Sequence, residues 1–341
     1  MRADTSSRTL QRAVPRRGGT MWGHTMRSFA ISALREPSFT AGRHKSTDRV
    51  ASESVEWARA IGLVNSGHQV HRLQRADAAG LAGRACPEGP TEGLRLLTDL
   101  ISWLFVMDDT CDEDGLGADP SRLAPVIAAL LDVLDRCGDP LAALPPGAGP
   151  LGAALHDLCR RTRARGRAPM LLRFVSQVRQ YLLALLWEAA NRERRRVPGV
   201  TEYVQLRRHI GGVHPCLTLT DLASEQPPGP TRRADPALTA LDLLAVDLVC
   251  WCNDLFSYGK ESRTDPDAHN LVTVIAQESG LAEADALRAA ADRFNSGLAA
   301  YLAAEERLLA SGVEALRSPL AARRNWVRAT YDWSVVAARY A

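Results

Sequence analysis

Lysine is almost missing from this 341-residue chain: Lys45 and Lys260 are the only two among 42 Lys and Arg. The bias reflects genome composition, yet it makes each lysine worth locating. A concentrated basic footprint is missing as well. The arginines are spread along the chain and the formal charge is only +3, which argues against a nucleic-acid partner. No apolar run of about 18 residues is free of charge. Even "LTALDLLAVDLVCWC" carries Asp242 and Asp247, so no transmembrane segment is expected and a soluble, cytoplasmic protein is. The seven cysteines form neither a CxxC pair nor a spaced ladder, which excludes a zinc site or disulfide framework and leaves small buried hydrophobes in a reducing compartment. Strand-like alternation is scarce and no repeat is evident. With 46% hydrophobic and 24% charged residues, the chain has what a large core needs.

The first residues are rich in Arg, Ser and Gly and almost free of acids, without a secretory h-region. Residues 1–38 are expected to be a disordered leader, Met21 or Met26 being alternative starts and a transit peptide the rival reading; residues 39–341 form the folded domain. From about residue 50 the apolar positions return at three- and four-residue intervals. Helices are predicted over 52–63, 67–81, 92–112, 120–137, 150–163, 169–194, 199–222, 236–259, 281–311 and 318–338, with a shorter one near 269–278. Pro and Gly mark the joints, as in "GDPLAALPPGAGP" and "QPPGPTRRADP". One all-α domain is the economical result.

Within 199–222, "LRRHIGGVHPCL" puts paired glycines and Pro215 into a helical pattern, where both residue types are costly. A kink or break is expected near Gly211–Pro215, its freed carbonyls pointing at whatever lies beside the helix.

Two stretches concentrate hard oxygen donors. "FVMDDTCDEDG" ends an apolar helix in Asp108, Asp109 and Asp112, with Asp108 and Asp112 at i and i+4. "CWCNDLFSYGKES" places Asn253, Ser257 and Glu261 at i, i+4 and i+8, within about 80° of arc and about 12 Å of helix. Amide, hydroxyl and carboxylate on one face suit Mg²⁺, which keeps much of its shell for water and phosphate. Either stretch alone could be a solvated polar stripe. Facing each other over an apolar pocket, they would hold cations that in turn hold a substrate that is half hydrocarbon and half diphosphate.

"DDTCD" at 108–112, "NDLFSYGKE" at 253–261 and "RY" at 339–340, with "RACP" and "PGVTEYVQLRR" between about Trp57 and Tyr340, resemble a bacterial class I terpene synthase. The resemblance implies a single-domain helical bundle around a central apolar pocket and an enzyme that ionises an isoprenyl diphosphate. It implies three Mg²⁺ ions, with Asp108 as the main ligand of two, Asn253, Ser257 and Glu261 holding the third, Asp112 as a further ligand, and Asp109 in support or paired with an arginine. Arg207, Lys260, Arg339 and Tyr340 match the diphosphate clamp. Arg208 rivals Arg207 as sensor, though the spacing favours Arg207. Gly211 matches the position whose carbonyl helps trigger ionisation, while Ile210 departs from the polar residue often found before it. Phe105 and Trp333 match aromatic pocket positions that stabilise carbocations, and Trp103, Trp251 and Trp326 are assigned to the core.

Farnesyl diphosphate, cyclised to a sesquiterpene hydrocarbon or alcohol, is the expected substrate, with a C10 diphosphate next. A chain-elongating synthase would need a second DDxxD where this chain reads "NDLFSYGKE", and a catalytically silent helical binding protein should have lost a ligand or clamp residue. A homodimer is held open.

Overall fold

The computed structural model describes residues 19–112, 114–165, 167–224, 229, 235–264 and 269–340, without the side chains of residues 19–25 and Tyr340. Among the described residues the α-helices run, in chain order, α1 (Gly19–Ala33), α2 (Thr47–Ala60), α3 (Gly67–Ala76), α4 (Ala78–Ala85), α5 (Thr91–Asp112), α6 (Pro120–Asp135), α7 (Gly149–Ala164), α8 (Ala168–Glu193), α9 (Val200–Ile210), α10 (Val213–Ala223), α11 (Pro236–Thr264), α12 (Leu271–Ser279), α13 (Glu283–Ala310) and α14 (Arg317–Val336). No strand occurs among them. The all-α expectation holds.

Helix α11 is central. Every residue from Ala245 to Cys252 is buried, so this stretch has no solvent face, as a helix enclosed by neighbours requires. It packs on α13 and α14, while α5 packs on α2, α4, α7 and α10. Of the helices, α4, α5, α8, α9, α10, α11 and α14 stand as staves around a cavity.

Helix α5 opens with Glu92 in its first turn, where a carboxylate suits the helix dipole, and ends on Asp108, Asp109 and Asp112 with no basic residue in its last turn. Acids there oppose the dipole by about 0.3–1 kcal/mol each at exposed sites, so their compensation must come from other elements.

Two expectations need adjustment, and a third is met and sharpened. The leader boundary at residue 38 is corrected, because α1 belongs to the domain; residues 1–18 lie outside the described residues. Met26, Ala30 and Leu34, at i, i+4 and i+8, are buried against the core. Asn295 accepts from the Arg35 backbone and donates to the Ala33 carbonyl. Second, the helix expected over 67–81 is two helices, because Asp77 takes the left-handed conformation (φ 49°) and its side chain caps α4 at the Gly80 N–H. Third, the break after Arg207 falls at Gly211–Gly212, ahead of the proline. Gly212 has φ 65°. Glycine is favoured there by this left-handed conformation, and a Cβ would also press on the end of the Leu104 side chain at 2.9 Å. Pro215 sits in the first turn of α10, where the N–H it lacks would have no helical partner.

Candidate active site

The staves line a cavity of about 420 Å³ that carries both apolar side chains and a set of acidic, basic and amide groups. Of the residues singled out from the sequence, Phe105, Asp108, Asp109, Asp112, Arg207, Gly211, Asn253, Ser257, Lys260, Glu261, Trp333 and Arg339 all line it. The Tyr340 side chain lies outside the described residues. Lys45 is exposed and lines nothing here, whereas Lys260 stands in the wall beside Glu261.

The acids ending α5 are held by arginines from three other elements. Arg339 Nη2 donates to Asp108 Oδ2 at 2.6 Å and stands 3.1 Å from Asp109 Oδ1. Arg72 of α3 approaches Asp109 Oδ2 at 3.0 Å, and Arg192 of α8 reaches Asp112 at 2.6 Å while bridging to Glu188 at 3.2 Å. Asp109 is buried and Asp108 about half exposed, 5% against 52% by side chain, so Asp108 presents its carboxylate to the cavity mouth. The segment carrying Arg339 is itself pinned: Arg27 donates to the Ala337 carbonyl at 2.6 Å and Arg75 to the Ala338 carbonyl at 2.8 Å.

Opposite, the Asn253, Ser257 and Glu261 stripe lies on α11 as the spacing predicts. Arg207 Nη2 donates to Asn253 Oδ1 at 2.6 Å and its Nε to Asp254 Oδ1 at 2.8 Å. Tyr203 donates to the second Asp254 oxygen at 2.5 Å, so this buried carboxylate anchors α9 to α11. Burial pushes the Asp254 carboxyl up while Arg207 and Tyr203 pull it down. Glu261 is raised by burial and by the nearby Asp254 charge, which makes a cation at this end of α11 favourable. Arg208 is bound bidentately to Asp247 at 2.7 Å and does not line the cavity, whereas Arg207 does.

At the helix break, Gly211 is held close. A Cβ there would stand 2.5 Å from Cys250 Sγ and 3.0 Å from the Arg207 carbonyl. The Cys250 thiol donates to that carbonyl at 3.6 Å, and burial pushes its pKa up to about 12. It therefore stays a neutral thiol, a weak nucleophile beside the cavity.

Phe105 and Trp333 stack with centroids 5.9 Å apart and planes 15° apart. The Trp333 indole N–H donates to the Asp77 carbonyl, which ties its position to the bend between α3 and α4. The Arg339 guanidinium lies 4.6 Å from the Phe105 centroid, a cation–π contact. Trp103, Trp251 and Trp326 are core residues as expected, and Trp326 also lines the cavity, its N–H held by Thr220.

Sequence reasoning missed Arg72, Arg192, Asp254 and Asn270. Arginines 72 and 192 carry no signal in a chain this rich in arginine. Asp254 adjoins Asn253 and could have been questioned, because its i+1 place turns it away from the stripe.

The donors fit a hard divalent cation. Among the described residues no three His, Cys, Asp or Glu side chains form a ready cage. The two clusters instead offer one carboxylate, an amide and a hydroxyl on α11 and half-exposed carboxylates on α5, which leaves coordination for water and phosphate oxygens, as Mg²⁺ prefers.

The cavity thus has an all-helical wall that carries apolar and aromatic side chains together with carboxylate, amide and guanidinium groups. The sequence model described as terpene synthase family 2, C-terminal metal binding, matches residues 99–299. The chain is 34% identical over 303 residues to (+)-T-muurolol synthase, a (2E,6E)-farnesyl diphosphate cyclising protein of Roseiflexus castenholzii, covering 86% of this chain and 89% of that one. It is 30% identical to 4-epi-cubebol synthase of Streptosporangium roseum, covering 86% and 87%. The solved structure of cucumene synthase superposes with a TM-score of 0.73 at 25% identity, covering 88% of this chain and 99% of that one. The SVS_A2 protein from ancestral sequence reconstruction superposes with a TM-score of 0.81 at 21% identity, covering 89% and 90%, which bears on the fold alone. This chain belongs to the terpene synthase family, and it is a metal-binding lyase of that family. Among the described residues no helix is long and apolar enough to cross a membrane.

Proposed function

We propose that this protein ionises farnesyl diphosphate and cyclises the resulting carbocation to a sesquiterpene hydrocarbon or alcohol, releasing diphosphate. The observation that carries the reading is that both oxygen clusters, three basic clamp groups and the stacked aromatics line one cavity. The relatives named as farnesyl diphosphate cyclising support a C15 substrate.

Asp108, with Asp112, would hold Mg²⁺ on the α5 side, and Asn253, Ser257 and Glu261 on the α11 side, three ions in all. Bound there, the metal supplies Lewis-acid neutralisation of the leaving diphosphate. Arg207, Lys260, Arg339 and Tyr340 bind the diphosphate oxygens, the arginine forks bidentately and the lysine as a compact charge. Asp109, buried and paired with Arg72, keeps the end of α5 in place rather than taking a metal. The Gly211 carbonyl, whose i+4 partner is Pro215 with no N–H to give, would favour positive charge on the carbon from which the diphosphate departs. Ile210 offers no side-chain link from Arg207, but the Cys250 thiol bonded to the Arg207 carbonyl stands against Gly211 and occupies that gap.

Once the bond breaks, the floor must exclude water and offer electron density without a nucleophile. Phe105 and Trp333 do this through their ring faces, an attraction worth about 2 kcal/mol or more when desolvated. The test is incubation of the purified protein with Mg²⁺ and, separately, C10, C15 and C20 diphosphates, each with and without a C5 diphosphate, with volatile and diphosphate products identified by mass spectrometry. Cyclic C15 products support the reading. Condensation of C15 with C5 diphosphate to a longer chain would replace it with chain elongation, and C10 products alone would make it a monoterpene synthase.

A further inference from the structure

We propose that Asn270 is a positioning residue that sets the carboxylate of Glu261 for metal binding and joins it to the anchor of Arg207; this rests on the role proposed above for Glu261.

Asn270 is fully buried immediately before α12. Its Oδ1 accepts the Val272 N–H at 2.9 Å, capping that helix. Its Nδ2 donates to Glu261 Oε2 and to the Asp254 carbonyl, both at 2.9 Å. The next backbone N–H, of Leu271, points to Asp254 Oδ2 at 3.4 Å. The cap alone does not explain asparagine, since Ser, Thr or Asp caps a helix as well. What those residues lack is two N–H donors. A primary amide supplies one acceptor and two donors without charge, and here all three functions are in use.

The consequence is geometric. Glu261 sits at the end of the α11 stripe on a side chain with three rotatable bonds, and Asn270 holds one of its oxygens. Through the Asp254 backbone carbonyl and the Leu271 N–H, the same turn grips the residue that binds Arg207 Nε and the Tyr203 hydroxyl. The metal side and the diphosphate side of the site therefore share one buried amide. A carboxylate at position 270 would instead set an acceptor against Glu261, near Asp254. Outer partners of metal ligands typically affect metal affinity or activity by about 10–100-fold.

Asn270→Asp keeps size and cap but removes both donors, and Asn270→Ser keeps the cap and removes the reach. Calorimetric titration of the full-length protein with Mg²⁺ and inorganic diphosphate should show binding at least about tenfold weaker in each variant, with helical circular dichroism retained. In steady state the Mg²⁺ concentration for half-maximal rate should rise in parallel, and excess Mg²⁺ should restore much of kcat. A purely structural role would lower the melting temperature without moving the Mg²⁺ dependence, and that result overturns the proposal. So does wild-type Mg²⁺–diphosphate binding in either folded variant, or loss of fold in both. Failure of the wild-type protein itself to bind diphosphate with Mg²⁺ would overturn the function proposed above and this inference with it.

Discussion

Removing residues 1–34 should destabilise the protein and loosen its grip on substrate. Helix α1 buries Met26, Ala30 and Leu34, with exposures of 5%, 0% and 4%. Fully burying a Met or Leu is worth about 1.5–3 kcal/mol, so the two large side chains contribute about 3–6 kcal/mol gross. The bonds from Arg27 to Ala337 and between Asn295 and Ala33 add about 0.5–1.5 kcal/mol each. Against this stands the entropy of ordering a helix that is marginal by itself at this length. A net loss of about 2–4 kcal/mol is expected, and at about 2–4 °C per kcal/mol for a domain slightly smaller than this one, the melting temperature should fall by about 4–16 °C. The kinetic effect follows from Arg27, whose guanidinium holds the carbonyl two residues before Arg339. KM for farnesyl diphosphate should rise several-fold, more than kcat falls. Differential scanning fluorimetry and steady-state diphosphate release measure both, and Leu34→Ala in the full chain should reproduce most of the thermal part, at about 2–4 kcal/mol, the cost of undocking the segment being the ceiling. A truncated protein with unchanged melting temperature and KM would refute the packing argument, because no other contact could replace that buried face.

The other expectations are more direct. Excess EDTA should abolish turnover and Mg²⁺ or Mn²⁺ restore it, since the oxygen donors hold the diphosphate only through a hard cation; turnover undiminished by chelator would contradict the metal assignment. Asp108→Ala and Asn253→Ala should each end turnover with the helical signal intact, and Asp112→Ala should be milder, so a wild-type rate in either of the first two removes that residue from the site. Phe105→Leu should redirect the product profile, because about 1.4 kcal/mol at one branching cation is a tenfold change in flux. The same substitution removes the ring face under Arg339. Diphosphate release should therefore fall several-fold as well, and an unchanged profile at normal rate would return Phe105 to the core.

What the sequence disclosed and what it hid differ by the range over which each signal acts. Helix placement is a local property, carried by apolar spacing and by Pro and Gly, and α5 through α14 lie within a few residues of the expected spans. The oxygen clusters are equally local, since i and i+4 residues share a face whatever surrounds them. Gly211–Gly212 showed as a break because only backbone freedom explains paired glycine in a helix. The bend at Asp77 did not, because alanine, aspartate and alanine all tolerate helix and the left-handed turn follows from the cap it makes. Helix α1 was hidden by its composition. The arginines, serines and glycines of the leader that contains it suggest disorder, while the three residues that matter, Met26, Ala30 and Leu34, gain their energy from helices far along the chain, α11 and α13 among them. The same holds for the guanidinium partners of the acids ending α5. Nothing near Arg72 or Arg192 marks them out from other arginines, yet both reach that helix end from distant helices. A cluster of acids that opposes its own helix dipole implies that cations must arrive from elsewhere, and it is the fold that decides which ones do.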